Sequence, residues 1–455
     1  MPILPIDTGR YGTREMKRIF EEESRLQRML DVEAALAWAH AEVGNIPPSD
    51  ARGIMGKAST QHVTLEQVKA IEREIRHDVA SMVVALAEQS GPHGAYVHFG
   101  ATSYDIVDTA EALMLKDAVK LIGDKLDALE GILLEKANVY RQTIMVGRTH
   151  GQHALPTTLG FKFAVWMREN ARHIQRLEQC SERLLVGKMT GAVGTQAGLG
   201  EHAMEIQALV MEKLGVKHAD ISTQIVQRDR HAEFVCLLAL IASSLDNIAT
   251  ELRELQRPEI GEVFEAFERK KQVGSSAMPQ KQNPETCEKI CGLAKVLRGL
   301  VIPSLENVVT WHERDLTQSS AERFVLPEAC ILTDYILSLA IDVLANLIVD
   351  HERMKENLQV TQGRMMAEAV MTALVKRGMP RQAAHELLRK LTSESRRNNL
   401  HFKDVLVENK EVRHLLGEDE ISSALDPQKY LGTATEQVTL MITKTEQERQ
   451  ARKQP

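Results

Sequence analysis

The longest regular pattern in the chain runs through residues 231–257, where neither Gly nor Pro occurs. Leu238, Ile241, Leu245, Ile248, Leu252 and Leu255 recur there at alternating intervals of three and four. That spacing is a heptad seam, the mark of a helix packed lengthwise on near-parallel partners. Residues 111–135 repeat it with Leu115, Val119, Ile122, Leu126, Leu129 and Leu133. At about 1.5 Å per residue, each helix would be roughly 35–40 Å long. Leu113, Leu121, Ile132 and Leu134 widen the second apolar set beyond one stripe. A helix apolar on several sides is buried on several sides. The pattern predicts an all-α protein with a central long-helix bundle, and favours a bundle shared between subunits over a large monomeric one.

Three regions follow. Residues 1–101 read as a smaller N-terminal helical domain ending in the Gly/Pro/His-rich SGPHGAYVHFGATS. Residues 102–348 hold the seams. Residues 349–455 read as a C-terminal domain of shorter helices, including RGMPRQAAHELLRKL, and then a polar tail. That tail, KTEQERQARKQP, has no apolar residue but Ala451 and the final Pro455 and is expected to be loose. A chain of 455 residues is longer than one core usually serves, which agrees with several domains.

Composition narrows the class. The chain is 43% hydrophobic and 26% charged, as in ordinary soluble proteins. Lys and Arg number 56 against 63 Asp and Glu, a net charge of -7, which argues against a nucleic-acid partner. No continuous apolar run is long enough to span a bilayer, and MPILPIDTGRYG lacks the regions of a signal peptide. The five cysteines are scattered and odd in number, so they read as reduced thiols of a cytoplasmic protein. Cys287 and Cys291 stand one helical turn apart, but no second pair joins them. They read as packing thiols, and no metal or cofactor is expected.

Polar clusters interrupt the helical text. GRYGTREM carries Arg10 and Tyr11; IRHDVA carries Arg76, His77 and Asp78; HFGATSYDIVDTA carries His98, Thr102, Ser103 and Asp105. GRTHGQHALPTT carries Arg148, Thr149, His150, Gln152 and His153, and ISTQIVQRDRHAE carries Gln224, Arg228 and His231. WHERDLTQSSAERF carries Arg314, Ser319, Ser320 and Arg323. Each has a plain structural reading. Asn283-Pro284 suits a helix start, Thr102 and Ser103 could be caps, and His77 and His98 could be satisfied core histidines. An isolated H-x-x-H at His150 and His153 lacks a third metal ligand. Capping does not account for the run of small polar residues in GSSAMPQKQNP, residues 274–284.

On that loop the chain resembles the fumarase/aspartase superfamily, whose signature is G-S-S-x-M-P-x-K-x-N-P. The remaining clusters, together with GAVGTQA, are similar to the branch that acts on succinylated purine nucleotides. The likeness runs from residue 10 to 323, and its spacing continues through RGMPRQAAHE. One departure is Gln280-Lys281-Gln282, where members often carry His-Lys-Arg. Position 282 therefore lacks a positive charge, which bears on loop dynamics and substrate contacts. Argininosuccinate lyases, carboxymuconate cycloisomerases and inactive crystallin-like relatives share the loop, whereas RY and ERDLTQSSAER look like phosphate-binding parts that those relatives do not need.

The resemblance implies three helical domains and a homotetramer whose subunits share each active site. It implies β-elimination of fumarate from adenylosuccinate, giving AMP, and from the succinyl-carboxamide ribotide of aminoimidazole. Ser275 matches the base and His150 the general acid. His77 matches a second histidine that orients acid or substrate. Lys281 suits the developing oxyanion, and Glu288 matches a carboxylate that tunes His150. Thr102, Ser103, Thr149, Gln224 and Asn283 suit carboxylates and ribose. Arg76 and Asp78 belong to the same substrate-binding set. Arg10, Tyr11, Arg314, Ser319 and Arg323 match phosphate and nucleotide contacts.

Overall fold

The computed structural model describes residues 3–267 and 277–453. Its principal helices are α1 (Asp78–Ser90), α2 (Ser103–Val139), α3 (Leu159–Leu184), α4 (Asp229–Gln256), α5 (Glu285–Gly299), α6 (Thr317–Ala345), α7 (Ala367–Lys376), α8 (Arg381–Arg397) and α9 (Ala434–Arg452). The apolar spacing accounts for the length of α2 and α4. Every seam residue of α4 is at most 4% exposed, and Leu115, Ile122, Leu126, Leu129 and Leu133 of α2 at most 1%. Val119 is half-buried, as are Leu121, Ile132 and Leu134, while Leu113 is buried. Burial of one such side chain contributes roughly 1.5–3 kcal/mol, so these helices are fixed by packing.

Packing divides the chain into two compact units. The first comprises residues 1–127, 173–246 and 289–339; the second comprises 128–172, 247–288 and 340–455. The central region of the sequence contributes to both. In the first unit, Leu30, Val32, Leu36, Met82, Leu86, Ile106 and Val210 share one core. In the second, Val370, Leu374, Leu388, Phe402, Leu406, Val412 and Ile421 form another.

Three features depart from the sequence reading. First, residues 144–158 form an antiparallel hairpin, β1 (Ile144–Thr149) and β2 (Gln152–Thr158). The register shifts between Val146 and Arg148, which breaks the strict alternation that announces a strand. Gly147 is needed there, since a Cβ would lie 2.7 Å from the Leu155 carbonyl oxygen.

Second, α4 and α6 are long and apolar enough to cross a bilayer, with mean hydropathy 1.6 and 1.7 over their most apolar 18 residues. In each, 61% of that stretch is buried inside the protein, as in core helices.

Third, the expected loose tail is ordered through residue 453 as α9. Arg168 donates to Glu448 at 2.6 and 2.9 Å and to Thr445 at 2.8 Å. Arg449 and Arg452 reach Glu130, whose side chain is fully buried. Ion pairing and one buried threonine do the work that apolar residues usually do.

Helix α6 contains Pro327. Proline has no N–H, so the Arg323 carbonyl one turn earlier has no helical donor.

Candidate functional site

In the first unit, a corner between helices builds the site. The helix Leu65–Ile75 ends at Arg76, whose φ is +58° and whose N–H bonds Glu72 at 2.7 Å. His77 then takes extended backbone, and its Nδ1 accepts the Ala80 N–H at 3.2 Å, capping α1. A ring nitrogen that accepts cannot carry the proton, so neutral His77 bears it on Nε2. At the start of α2, Asp105 accepts the Thr102 N–H at 2.8 Å and the Thr190 N–H at 2.8 Å, and pairs with fully buried Lys188. These bonds fix the backbone beside Ser103.

Arg76, His77, Asp78, Ser103, Arg314, Ser319 and Arg323 all line one cleft of about 440 Å³. They come from three separate sequence clusters, and the fold brings them together. Arg25, Glu72, Tyr104 and Leu316 line it too, and none was singled out from sequence. Its four arginines face two carboxylates, so the cleft is cationic in a chain of net charge -7.

Arg323 donates to Asp78 at 2.7 Å. Burial pushes the Asp78 carboxyl up, but the Val79 N–H and the Arg323 guanidinium outweigh it and hold it below the usual range. Arg314 lies with its guanidinium carbon 3.6 Å from the centre of the Tyr104 ring, a cation–π stack. Its Nη1 donates to Gln224 at 2.9 Å, and Gln224 donates to the Ala192 carbonyl at 2.8 Å. The buried Nε of Arg314 has no hydrogen-bond acceptor among the described residues. The Tyr104 hydroxyl bonds Ser319, and burial raises its pKa. Arg10 is exposed, with its guanidinium 5.9 Å from the Tyr11 ring, and neither residue lines the cleft.

Behind Ser319 and Arg323, Glu322 pairs with the buried Arg228 at 2.7 Å and with His231 at 3.3 Å. Arg228 also pairs with Asp108 at 2.8 Å. Ligand atoms of Glu111, His231 and Glu322 lie within 4.8 Å of one another. The Arg228 guanidinium already supplies positive charge there, so the donor set does not fit a cation. His98 is a satisfied histidine, bonding Glu33 at 2.6 Å.

The second unit holds the other predicted residues. His150 and Gly151 form the two-residue turn of the hairpin at φ +55° and +72°, the left-handed pair that tight hairpins require. His150 and Thr149 are exposed at its tip. Arg148 is committed to structure: it grips the buried Glu262 at 2.8 and 2.9 Å, and Asn357 donates to the same carboxylate at 2.8 Å.

Ser275 lies outside the described residues. Lys281 is exposed in a turn closed by its own N–H to the Met278 carbonyl at 3.1 Å. Asn283 is half-buried, and Glu288 is exposed on the first turn of α5. The start of α5 already holds a carboxylate. Glu265 accepts the Thr286 N–H at 3.1 Å and the Cys287 N–H at 2.6 Å. Cys287 and Cys291 are buried on this helix.

The two units thus offer different chemistry. One presents a cationic cleft suited to a phosphate ester. The other presents an imidazole and an ammonium group suited to acid–base and oxyanion work. Two family models match the sequence: one described as "Lyase" over residues 9–299, the other as "Adenylosuccinate lyase C-terminus" over 363–440. The chain is 52% identical to the adenylosuccinate lyase of Methanothermobacter thermautotrophicus, over 98% of this chain and 99% of that protein. It is 50% identical to that of Methanocaldococcus jannaschii, over 97% and 96%. Among solved structures, the 3-carboxy-cis,cis-muconate lactonizing enzyme from Pseudomonas putida superposes with a TM-score of 0.89 at 34% identity, over 98% of this chain and 99% of that one. A fumarate lyase from Mesorhizobium sp. BNC1 gives 0.88 at 33%, over 95% and 98%.

Proposed function

The chain belongs to the adenylosuccinate lyase family of the fumarase/aspartase superfamily, and from this we infer that it is a carbon–nitrogen lyase splitting adenylosuccinate into fumarate and AMP. The same site serves the succinyl-aminoimidazole carboxamide ribotide of purine synthesis. One observation carries the choice over a muconate-type reaction, which the structural neighbours alone leave open. Arg314, Ser319 and Arg323 converge with Arg25 and Arg76 in one cleft, and paired guanidinium forks suit phosphate oxygens.

Elimination needs a base, an oxyanion donor and an acid for the leaving nitrogen. Ser275 takes the proton from the carbon next to the succinyl carboxylate. Lys281 stands by for the charge that builds on that carboxylate. With the first amides of α5 given to Glu265, the fumaryl end relies on Lys281 and on neutral donors such as Asn283 and Thr149. His150 protonates the departing nitrogen, with Glu288 tuning it. His77, held with Nε2–H free to donate, orients the substrate. Arg314, Ser319 and Arg323 hold the phosphate, while Arg10 and Tyr11 complete the nucleotide contacts. Thr102, Ser103 and Gln224 serve the ribose and carboxylates.

We place the working enzyme in the cytoplasm as a homotetramer that binds neither nucleic acid nor membrane. Large apolar side chains exposed at Val296, Ile302, Leu305, Val309, Trp311, Leu316 and Phe324, all within residues 296–324, support the assembly, as surface that association would cover. The test is direct. Purified protein mixed with adenylosuccinate should release fumarate and AMP, followed by ultraviolet absorbance. Ser275→Ala should lose turnover by several orders of magnitude while still binding substrate. A wild-type chain that leaves adenylosuccinate intact would refute the reading.

A further inference from the structure

A second concentration of positive charge lies in the second unit, on residues given no role above. A cavity of about 520 Å³ is lined by His153, Arg364, Arg389, Thr392, Arg396 and Arg397, among others, and by no carboxylate. Arg389 is neutralised by Glu386 through two bonds of 2.8 Å. Arg364 is held by Gln362 at 3.1 Å and Ser395 at 3.2 Å, acceptors that position a guanidinium without cancelling its charge. Arg396 and Arg397 are exposed, and among the described residues no carboxylate pairs with either. His153 adds a buried Nδ1 with no hydrogen-bond partner among the described residues.

Basic residues at the end of α8 complement the helix dipole, which accounts for Arg396 and Arg397 separately. It does not account for Arg364, from another element, facing the same space. We propose that this cavity binds a phosphorylated anion, at a site distinct from the cleft of the first unit. Guanidinium forks pair with phosphate oxygens two at a time. Nucleotide-sized ligands occupy pockets of roughly 300–1,000 Å³, so the space admits a phosphate chain as well as a single phosphate. The source is therefore inorganic phosphate or a nucleoside polyphosphate. The turn carrying Arg364 continues into Met365 and Met366, which share a buried cluster with Val146 of β1. That strand leads to His150, so an occupant would load the hairpin that carries the general acid. The binding claim stands without the lyase reading; only this effect on turnover rests on it.

Calorimetric titration of full-length Arg323→Ala protein with inorganic phosphate, pyrophosphate and ATP reads this cavity while the first unit's cleft is weakened. One equivalent per chain is expected. Adding Arg396→Gln and Arg397→Gln should weaken binding by about tenfold or more, with circular dichroism unchanged. ATP binding more tightly than phosphate identifies a nucleotide; equal affinity identifies free phosphate. No binding by any probe, or binding undiminished in the substituted chain, overturns the proposal. With Arg323 restored, the Arg396→Gln/Arg397→Gln enzyme should turn over adenylosuccinate at the wild-type rate when no anion is added. Wild-type protein that binds anion but releases no fumarate would sink the lyase reading and leave this site standing.

Discussion

His77 shows how much one hydrogen bond can decide. By capping α1 with Nδ1 it fixes its neutral tautomer, and a capping histidine cannot also be a freely rotating base. Arg323 is similarly constrained, since Asp78 takes Nη2 and leaves Nε and Nη1 for an anion. Losing a charged hydrogen bond of this kind costs about 1.5–3 kcal/mol, or roughly tenfold to 150-fold in affinity. Arg323→Ala should weaken AMP binding by that order and leave inhibition by fumarate nearly unchanged. The reverse pattern, measured by competition kinetics, would mean that the substrate lies end for end. His98 gives a pH signature. Burial disfavours its cation, but the Glu33 bond and charge win and raise its pKa. The pair's stabilisation is then complete below the ordinary value of about 6.5 and drains as pH rises through the raised one. Glu33→Gln should lower Tm most near pH 6 and less at higher pH; a gap that widens with pH contradicts the pairing. Arg76, His77, Asp78, Ser103 and the α6 residues were legible because polar groups interrupt helical text there. Arg25 was not, because an arginine on an ordinary amphipathic helix looks like a solvated face.

Among the elements, the long helices were the most legible, because spacing of three and four records burial directly. The hairpin was hidden by its bulge at Gly147 and by its polar turn. Ionic pinning concealed α9, since its partners Arg168 and Glu130 lie more than 270 residues earlier. Glu265 was hidden for the same reason: no local pattern links a carboxylate to the helix 20 residues onward that it caps. The turn at His150-Gly151 can be tested alone. A Cβ at Gly151 would meet nothing within 4 Å, so Gly151→Ala costs only the left-handed backbone, about 1–2 kcal/mol. Tm should fall slightly, while kcat falls more than KM changes because His150 is displaced. Stopped assays of both parameters check this; an unchanged kcat would separate the turn from catalysis.

At the scale of the whole molecule, the predicted acid belongs to the second unit and the cationic cleft to the first. Light scattering should return about four times the 50.9 kDa chain mass. Inactive His150→Ala and Ser275→Ala chains, mixed and allowed to exchange subunits, should regain some activity if different chains supply those residues. Confirmed exchange with no recovery would count against shared sites. The breadth of the apolar faces is the sequence's argument for assembly, and no local pattern says which end would meet which, because the surfaces concerned lie far apart in the chain.

Pro327 has a mechanical consequence for binding. A helix resists bending because each turn is tied to the next, and here one tie is missing just after Arg323. The break falls between two anchored stretches: Glu322 and Arg323 are tied to Arg228 and Asp78 at 2.7 Å each, and the length beyond is anchored by Leu326, Ile336 and Leu337. On the proposed reading, a phosphate held by Ser319 and Arg323 would load that joint before it loaded the rod.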